Sequence, residues 1–398
     1  MNNVPKRRGK KNKIKAFNQV DNIDLFAPSS KLFDAFCQDI VDRFSLCKGV
    51  VVDIQKVPSS DEEHVHHFAI TYLLPSGEEV SVNSKRVVYA SGNCSEIRIP
   101  DWALKPRSIM PSRLMHALEL PRDWKAMSAS KPKGSLLVVG GGMTSAQLVV
   151  LGLKTGFKGV RLSILTNYPF QVVMASRSRL RTQQFDVSLD WVGRESNVMF
   201  STFWSEPDFK KRYKMIQKAR GGGSITTEYM QILRQEVKNS RLTLKEQVQV
   251  TDCVWNSDKS VWDIVFSDSS VASFEYIWLG TGSVLDIQKE PCMQKMLQQY
   301  PIDVVGGLPV LNDELEASGD VAGLHFMSGL SALAVGPIAG NLMGGRICAE
   351  RISEAILRDW GDRSGDGTSL EERPQLDTLA DMAANFCNYW DYLRTIES

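Results

Sequence analysis

Residues 135–166 read SLLVVGGGMTSAQLVVLGLKTGFKGVRLSILT, and the fold turns on how this stretch is parsed. Leu136–Val139 is a short apolar run of the kind that makes a buried strand. Gly140-Gly141-Gly142 punctuates it as a tight turn. Residues 144–154 continue as a helix, and Val160–Leu165 reads as a second strand. The result is a strand–turn–helix–strand unit with Gly-x-Gly-x-x-Ser-Ala at its first turn. In such a unit Gly140 permits the turn and Gly142 lets the backbone approach a pyrophosphate. Ser145 takes the third glycine position, where a small residue is needed, and Ala146 follows it. The helix then offers free amides and the positive end of its dipole to the anion. A glycine turn also serves packing alone; here its context, after a strand and before a helix, points to a nucleotide.

The sequence past the turn bears on which nucleotide. An NAD site places Asp or Glu about 20 residues beyond the glycines, on the ribose 2′-hydroxyl. Here that region is LSILTNYPF, with no acid. SRSRLR follows, with Arg177, Arg179 and Arg181. A missing carboxylate and available guanidinium groups favour a 2′-phosphate, hence NADP over NAD. Arg177 is the first of these three candidates; the plainer reading is that all three solvate a loop.

Around this unit the chain repeats itself. At residues 30–92, SSKLFDAFCQDIVDRFSL opens with a serine cap and sets Leu32, Phe33, Phe36, Ile40 and Phe44 on one helical face. KGVVVDIQKV reads as a strand, HFAITYLLPSGEEVSVN as a hairpin, and RVVYASG as a closing strand. Residues 226–282 follow the same order. TTEYMQILRQEVKNS is a capped helix, RLTLKEQVQVTDCVW a strand, KSVWDIVFSDSSVASF a hairpin, and EYIWLGTG the closing strand. Each copy ends in a small residue, Ser or Thr, then Gly: Gly92 in the first and Gly282 in the second.

The totals exclude several classes. The 398 residues carry a net charge of +1, which argues against nucleic-acid binding or a membrane surface as the main partner. Seven basic groups fall within residues 1–15, so residues 1–28 read as a basic, disordered tail, open to a nuclear-import reading as well. The seven cysteines are scattered without a Cys-x-x-Cys pair. That pattern points to buried thiols in a reducing, cytoplasmic setting and against a redox dithiol. The most apolar stretch, 321–349, is broken by seven glycines and prolines and reads as strand, loop and helix, not as a membrane span.

Four stretches carry a family resemblance: YASGNCSEIRIPDWA (89–103), VVGGGMTSAQ (138–147), WLGTGS (278–283) and MSGLSALAVGPIAGNLMGGRICAERI (327–352). Over residues 28–358 the chain resembles flavin-containing and N-hydroxylating monooxygenases of the lysine and ornithine type. The resemblance implies an α/β fold of the two-dinucleotide-binding-domain flavoprotein type. An FAD-like domain would comprise residues 29–133 and 283–360, and a Rossmann-like NAD(P)H domain, 134–282, would be inserted in it. Residues 361–398 would form a linker and a C-terminal helix. The resemblance also implies an NADPH- and FAD-dependent oxidoreductase acting on a small molecule. Gly92, Gly282, Gly336 and Pro337 would lie near the cofactors, and the helix after Gly336-Pro337 would point its N-terminus at the flavin ring. No residue stands out as catalytic, and no metal site is expected.

The repeat makes a demand that residues 1–29 do not meet. A second strand–turn–helix unit should precede the first copy to hold the ADP half of FAD, yet this segment has one glycine, Gly9, and no apolar strand. The FAD-like domain is therefore expected to lack its first βαβ unit and to expose the first meander to a partner. Three explanations stand open: a truncated product of a longer flavoenzyme gene, a degenerate relative that binds NADP without flavin, or a half supplied by another chain.

Smaller features have two readings each. His64 and His66 share a strand face, as alternate metal ligands or as a solvated strand. His325 lies either near the flavin ring or in the core with its hydrogen bonds satisfied. The aromatic stretch 185–204 either lines the substrate or nicotinamide side or forms core.

Overall fold

The computed structural model describes residues 30–44, 46–57, 67–92, 96–121, 134–157, 172–317 and 320–363. The first copy of the repeat forms helix α1 (Ser30–Arg43), strands β1 (Val50–Val57), β2 (His67–Leu73) and β3 (Glu79–Ser84), and the closing strand β4 (Val87–Tyr89). A short strand β5 (Glu96–Ile97), helix α2 (Asp101–Ile109) and strand β6 (Leu114–His116) lead to the glycine turn. Around that turn stand β7 (Leu136–Val139), α3 (Met143–Thr155) and β8 (Val172–Ser176). Helices α4 (Ser196–Trp204) and α5 (Phe209–Arg220) follow, then the second copy: α6 (Thr227–Lys238), β9 (Leu242–Glu246), β10 (Val250–Asn256), β11 (Val261–Phe266), β12 (Val271–Phe274) and β13 (Tyr276–Leu279). The chain ends with β14 (Ser283–Val284), α7 (Gln294–Gln299), β15 (Val304–Val305), β16 (Leu308–Pro309), β17 (Leu324–Phe326), α8 (Ala332–Val335) and α9 (Leu342–Arg363).

The centre is a five-stranded sheet in the order β6-β13-β7-β8-β9, parallel at every pairing. Strands covered on both faces must be apolar throughout, and Leu136–Val138 and all of β8 are buried. Alternation then divides the side chains between two cores. Leu136, Val138 and Trp278 pack with Ala146 and Val149 of α3 and Leu233 of α6. Leu137, Ile277 and Leu279 pack on the other face, with Trp262, Ile264 and Phe266 of the antiparallel sheet β10-β11-β12 and Ala103 of α2.

Two readings change here. The expected second strand, Val160–Leu165, lies outside the described residues, and the neighbour of β7 is β8, Val172–Ser176. The residue after the second strand of the unit is therefore Arg177. The stretch RLTLKEQVQVTDCVW is two strands: β9 belongs to the parallel sheet, and β10 opens the meander after a turn in which Gln247 has φ 59°. A single apolar run hides this break, because both strands have the same alternating pattern.

The two copies differ in how well they are covered. In the second, Met230 and Leu233 of α6 are buried against the sheet. In the first, the apolar face read from the sequence is present on α1, but Phe33, Ile40 and the adjoining Phe44 are exposed. Among the described residues strand β4 pairs, in parallel, with β17 alone. The copies meet directly after their closing strands, where β5 and β14 run antiparallel, Ser283 opposite Ile97 and Val284 opposite Glu96. The His64/His66 pair, the basic tail and the expected C-terminal helix fall outside the described residues.

Gly152 sets the distance between α3 and the central sheet. A Cβ there would stand 2.5 Å from Leu136 Cδ2 and 3.5 Å from Trp278 Cζ3. Gly152→Val is expected to destabilise the chain by about 1–3 kcal/mol through overpacking, read as a lower midpoint in urea denaturation; an unchanged midpoint would contradict the close packing.

Candidate dinucleotide site

The turn after β7 is closed by contacts that leave no room for side chains. Gly140 has φ 142°, which favours glycine, and a Cβ on it would run into Gly280 O and Ser145 Oγ. Its amide donates to Ala175 O (2.9 Å), while the Gly280 amide donates to Val139 O (2.8 Å). Ser145, fully buried, donates from Oγ to Gly280 O at 3.1 Å. The glycine turn and the Gly-Thr-Gly closing of the second copy are thus one structure, joined by Ser145. The sequence singled out both stretches but had no signal that they touch.

Gly142 precedes α3, and Ala146 N already bonds to Gly142 O (3.1 Å). The amides of Met143, Thr144 and Ser145 in the first turn therefore have no intrahelical acceptor. They point to the carboxyl end of the parallel sheet, where this class of fold takes its ligands. A Cβ on Gly141 would meet Ser176 at the end of β8, so the turn and the start of SRSRLR are neighbours. The three arginines separate by their surroundings. Arg179 Nε donates to Gln247 Oε1 (3.2 Å), and Arg181 Nη2 donates to Arg220 O (2.5 Å) and Gly222 O (2.9 Å). Arg177 is exposed on the residue directly after β8. Gly140, Gly142, Ser145, Ala146 and Arg177 therefore converge on the carboxyl ends of β7 and β8.

The other expected residues lie elsewhere. Gly92 and Gly282 have φ 90° and 80°, and no atom lies within 4 Å of where a Cβ would stand on either. The shared ending of the two copies is thus a shared backbone need: each closing strand leaves its sheet through a glycine in the left-handed region. Gly282 O also receives the Arg98 amide (3.0 Å) and, from the buried His116, the Nε2 proton (3.0 Å). Gly336 (φ 106°) and Pro337 are buried beneath α4, with Phe200 and Phe203 3.7 Å from a Cβ on Gly336.

The expected long helix does not start at Pro337. Residues Pro337–Gly340 form one 3-10 turn, and α9 begins at Leu342, with Asn341 Oδ1 accepting from Gly344 N (3.1 Å). Gly340 and Asn341 carry the break that the run of small residues conceals. Leu342 and Met343 at this start are exposed.

Three side chains of the 196–220 region grip the same segment. Trp204 Nε1 donates to Ala334 O (3.0 Å), Arg212 Nη1 to Leu333 O (3.1 Å), and Arg220 Nε and Nη2 to Pro337 O (3.3 and 3.2 Å). Within the aromatic stretch 185–204, Trp191, Phe200 and Phe203 are core, with Trp191 meeting Phe200 and Phe203 edge-on at 5.6 and 6.1 Å, while Trp204 is exposed. His325 is core as well. Arg86 Nη1 can only donate, so His325 Nε2 accepts (3.2 Å) and Nδ1 carries the proton donated to Glu314 O (3.1 Å).

A second buried polar group lies where β4 ends. Tyr89 donates to Glu290 Oε2 (2.6 Å) beside Cys292 Sγ (3.5 Å), and burial pushes both the phenol and the Cys292 thiol up. Cys253 is pushed up to about 12 by burial, and the five described cysteines are free. Burial keeps Cys253, Cys292 and Cys348 as thiols at neutral pH. Among the described residues no cluster suits a metal ion, and no helix is long and apolar enough to cross a membrane.

No family model matches the sequence, and no curated sequence is similar to it. Its architecture does match solved structures. An ornithine hydroxylase from Pseudomonas aeruginosa aligns with TM-score 0.62 at 17% identity, over 85% of this chain and 78% of that one. An ornithine N-hydroxylase from Kutzneria, solved with reduced FAD, NADP+ and L-ornithine, gives 0.59 at 11% identity over 85% and 80%. A cadaverine monooxygenase from Erwinia amylovora, solved with FAD, gives 0.59 at 14% over 82% and 72%. At such identities the likeness is one of fold. The chain has the α/β architecture of two-dinucleotide-binding-domain flavoproteins, as the repeat and the glycine turn lead one to expect.

His116 supplies a pH test of the seam between the copies. Its Nδ1 accepts from Leu118 N (3.3 Å) and its Nε2 donates to Gly282 O, so the neutral ring satisfies both bonds. Burial holds its pKa below the usual value, ahead of the opposing pull of Gly282 O and Glu119. The unfolded chain then binds the proton first as pH falls. Stability is expected to be full above about pH 6.5 and to decline below it, towards the lowered folded value. His116→Gln should flatten that part of the urea-midpoint profile; an identical slope in the variant would remove His116 as its source.

Proposed function

We propose that this chain binds NADPH at the turn Gly140–Gly142 and that it serves an oxidoreductase of the flavin-dependent monooxygenase type. The observation that carries this is the glycine turn opening α3, with exposed Arg177 directly after the adjacent strand β8. The α3 amides suit a pyrophosphate, which would pass over Gly142, where no side chain stands in the way. Arg177 suits the ribose 2′-phosphate. Ser145 and Ala146 keep the turn on the sheet. Bound NADPH supplies a hydride, and the chain's part is to hold and orient it. The solved neighbours that carry FAD and NADP+ support the same reading. On this reading residues 134–282 are the nucleotide domain. Residues 29–133 and 283–360 form the FAD-like body, except that α2 and β6 belong to the core and sheet of the nucleotide domain; Gly92 and Gly282 stand after the two closing strands. The substrate is a small molecule, and the free thiols fit the reducing cytoplasm.

FAD itself is a poorer fit. Among the described residues of the FAD-like body no strand leads through a glycine turn into a helix, so those residues offer no seat for its ADP half. No step through a flavin is assigned to them.

A second reading has its own support: a non-catalytic protein that binds NADP or a partner without flavin. Parallel strands occur in sheets covered on both faces, yet among the described residues β4 pairs only with β17, and Val88 is exposed. In the same copy Val50, Val51, and Phe33 and Ile40 of α1 are exposed. A partner strand on the open edge of β4 would complete the sheet.

Calorimetry separates these readings. Gly142→Val is expected to abolish NADPH binding with little change in urea midpoint, and Arg177→Ser to weaken NADPH about tenfold, roughly 1.4 kcal/mol, while NADH is little affected. Unchanged NADPH affinity in both variants would remove the nucleotide site from this turn. Flavin absorption in purified protein supports the oxidoreductase; protein that binds NADPH but takes up no added FAD supports the non-catalytic reading.

A further inference from the structure

The outer side of Gly142, across which a pyrophosphate would lie, is covered. The first atom beyond the position of a Cβ on Gly142 is Gly223 Cα, at 3.4 Å. Seen from the other side, a Cβ on Gly223 would stand 3.0 Å from Gly142 Cα, 3.2 Å from Gly142 N and 3.6 Å from Gly141 C. The two backbones are in van der Waals contact. A phosphate hydrogen-bonded at about 2.9 Å to these amides does not fit between them. We propose that the triglycine loop 221–223 is a gate over the pyrophosphate seat, which NADPH must open, and that Arg220 couples its opening to the Pro337 segment. This inference rests on the nucleotide reading above.

The composition of the loop fits a gate. Gly221 (φ 59°) caps α5, its amide bonded to Gln217 O (2.8 Å), so that glycine is accounted for by the helix end. Gly222 (φ 89°) has open space where a Cβ would stand, and its conformation favours glycine. Gly223 is not needed for either purpose. Its missing side chain is what allows the loop to close on Gly142.

Arg181 holds the closed position. Its Nη2 donates to Arg220 O and Gly222 O, while its Nε is buried without a partner. A buried donor left unpaired disfavours the closed state. Beyond the loop the chain is anchored again, with Ile225 N donating to Arg181 O and Gln183 N to Ile225 O, both at 2.9 Å. Movement is thereby confined to the residues between α5 and Ile225. On the near side Arg220 holds Pro337 O with two N–H groups. A loop that lifts from Gly142 shifts the backbone next to Arg220 and loosens that grip. The nucleotide seat and the segment 336–341, buried over 336–339, then answer to the same event.

The test compares the full-length chain with Arg181→Met, which removes the clasp, and Gly223→Ala, whose methyl group presses the loop away from Gly142. When the binding-competent state is only partly populated, freeing it raises apparent affinity. Both variants are expected to bind NADPH about fivefold tighter. Adenosine 2′-monophosphate, which has no pyrophosphate, should bind all three proteins alike. Should Arg181 instead hold the 2′-phosphate, Arg181→Met weakens both ligands, and the gate is overturned. It is also overturned when neither variant gains affinity for NADPH. In the wild-type chain, saturating NADPH should speed hydrogen exchange at Ala339 and Asn341, whose amides bond to Gly336 O (3.1 Å) and Ile338 O (2.9 Å). This measurement stands even where the variants fold poorly, and unchanged exchange there overturns the coupling. NADPH binding by none of the three proteins defeats the nucleotide reading and the gate together, whereas ordinary binding with no response in the variants or in exchange defeats the gate alone.

Discussion

Contact between two glycines fixes the middle of this protein. Gly140 ends β7, Gly280 ends β13, and a side chain on Gly140 would collide with the other's carbonyl. Because neither carries one, the strands can lie side by side in register from Tyr276–Leu136 to Leu279–Val139. Ser145 then reaches from α3 to Gly280 O and fixes the helix end against both strands. The direction in which α3 presents its first-turn amides follows from that hydrogen bond. So do the two cores, since the alternation of Leu136, Leu137 and Val138 has meaning only once α3 covers one face and the β10–β12 meander the other.

A second constraint joins the halves. The passage after each closing strand is paired with the other, Glu96–Ile97 as β5 against Ser283–Val284 as β14. His116 and Arg98 both donate to Gly282 O, so the passage is held from two sides. On the far side, Trp204, Arg212 and Arg220 hold three carbonyls of the 333–337 segment. The guanidinium of Arg212 also lies over the rings of Phe203 and Phe209, at 5.4 and 5.2 Å. Carbonyls in a glycine-rich buried segment must find donors, and here long side chains from another region supply them. The price of this arrangement is that the segment's conformation depends on α4 and α5.

The first copy of the repeat shows the opposite condition. Among the described residues its meander β1–β3 is formed and its β4 is paired on one edge, but Phe33 and Ile40 of α1 and the adjoining Phe44 are exposed. The periodicity of Phe33, Phe36 and Ile40 was legible because helical spacing is local. That this face stays exposed was not legible, because covering it depends on what stands beside β4. The same limit applies to Val160–Leu165. An apolar run shows that a strand can form, whereas which strand lies next to β7 is decided by pairing, and β8 holds that place.

The sequence by itself determined the glycine turn, the order of elements in both copies and the arginine-rich stretch, since turns, caps and alternation act over a few residues. It also determined the likeness to the two-dinucleotide flavoprotein fold, through four short stretches. Only the tertiary structure decided which arginine follows the second strand, that Arg181 bonds Arg220 O and Gly222 O, that α9 starts after Asn341, and that His325, Trp191, Phe200 and Phe203 are core. It alone set Gly223 against Gly142, some eighty residues away in the chain. The physical reason is the same in each case. A local pattern states what a segment can form, but burial, hydrogen-bond partners and access to a ligand are set by segments remote in sequence, and these meet only when the chain has packed.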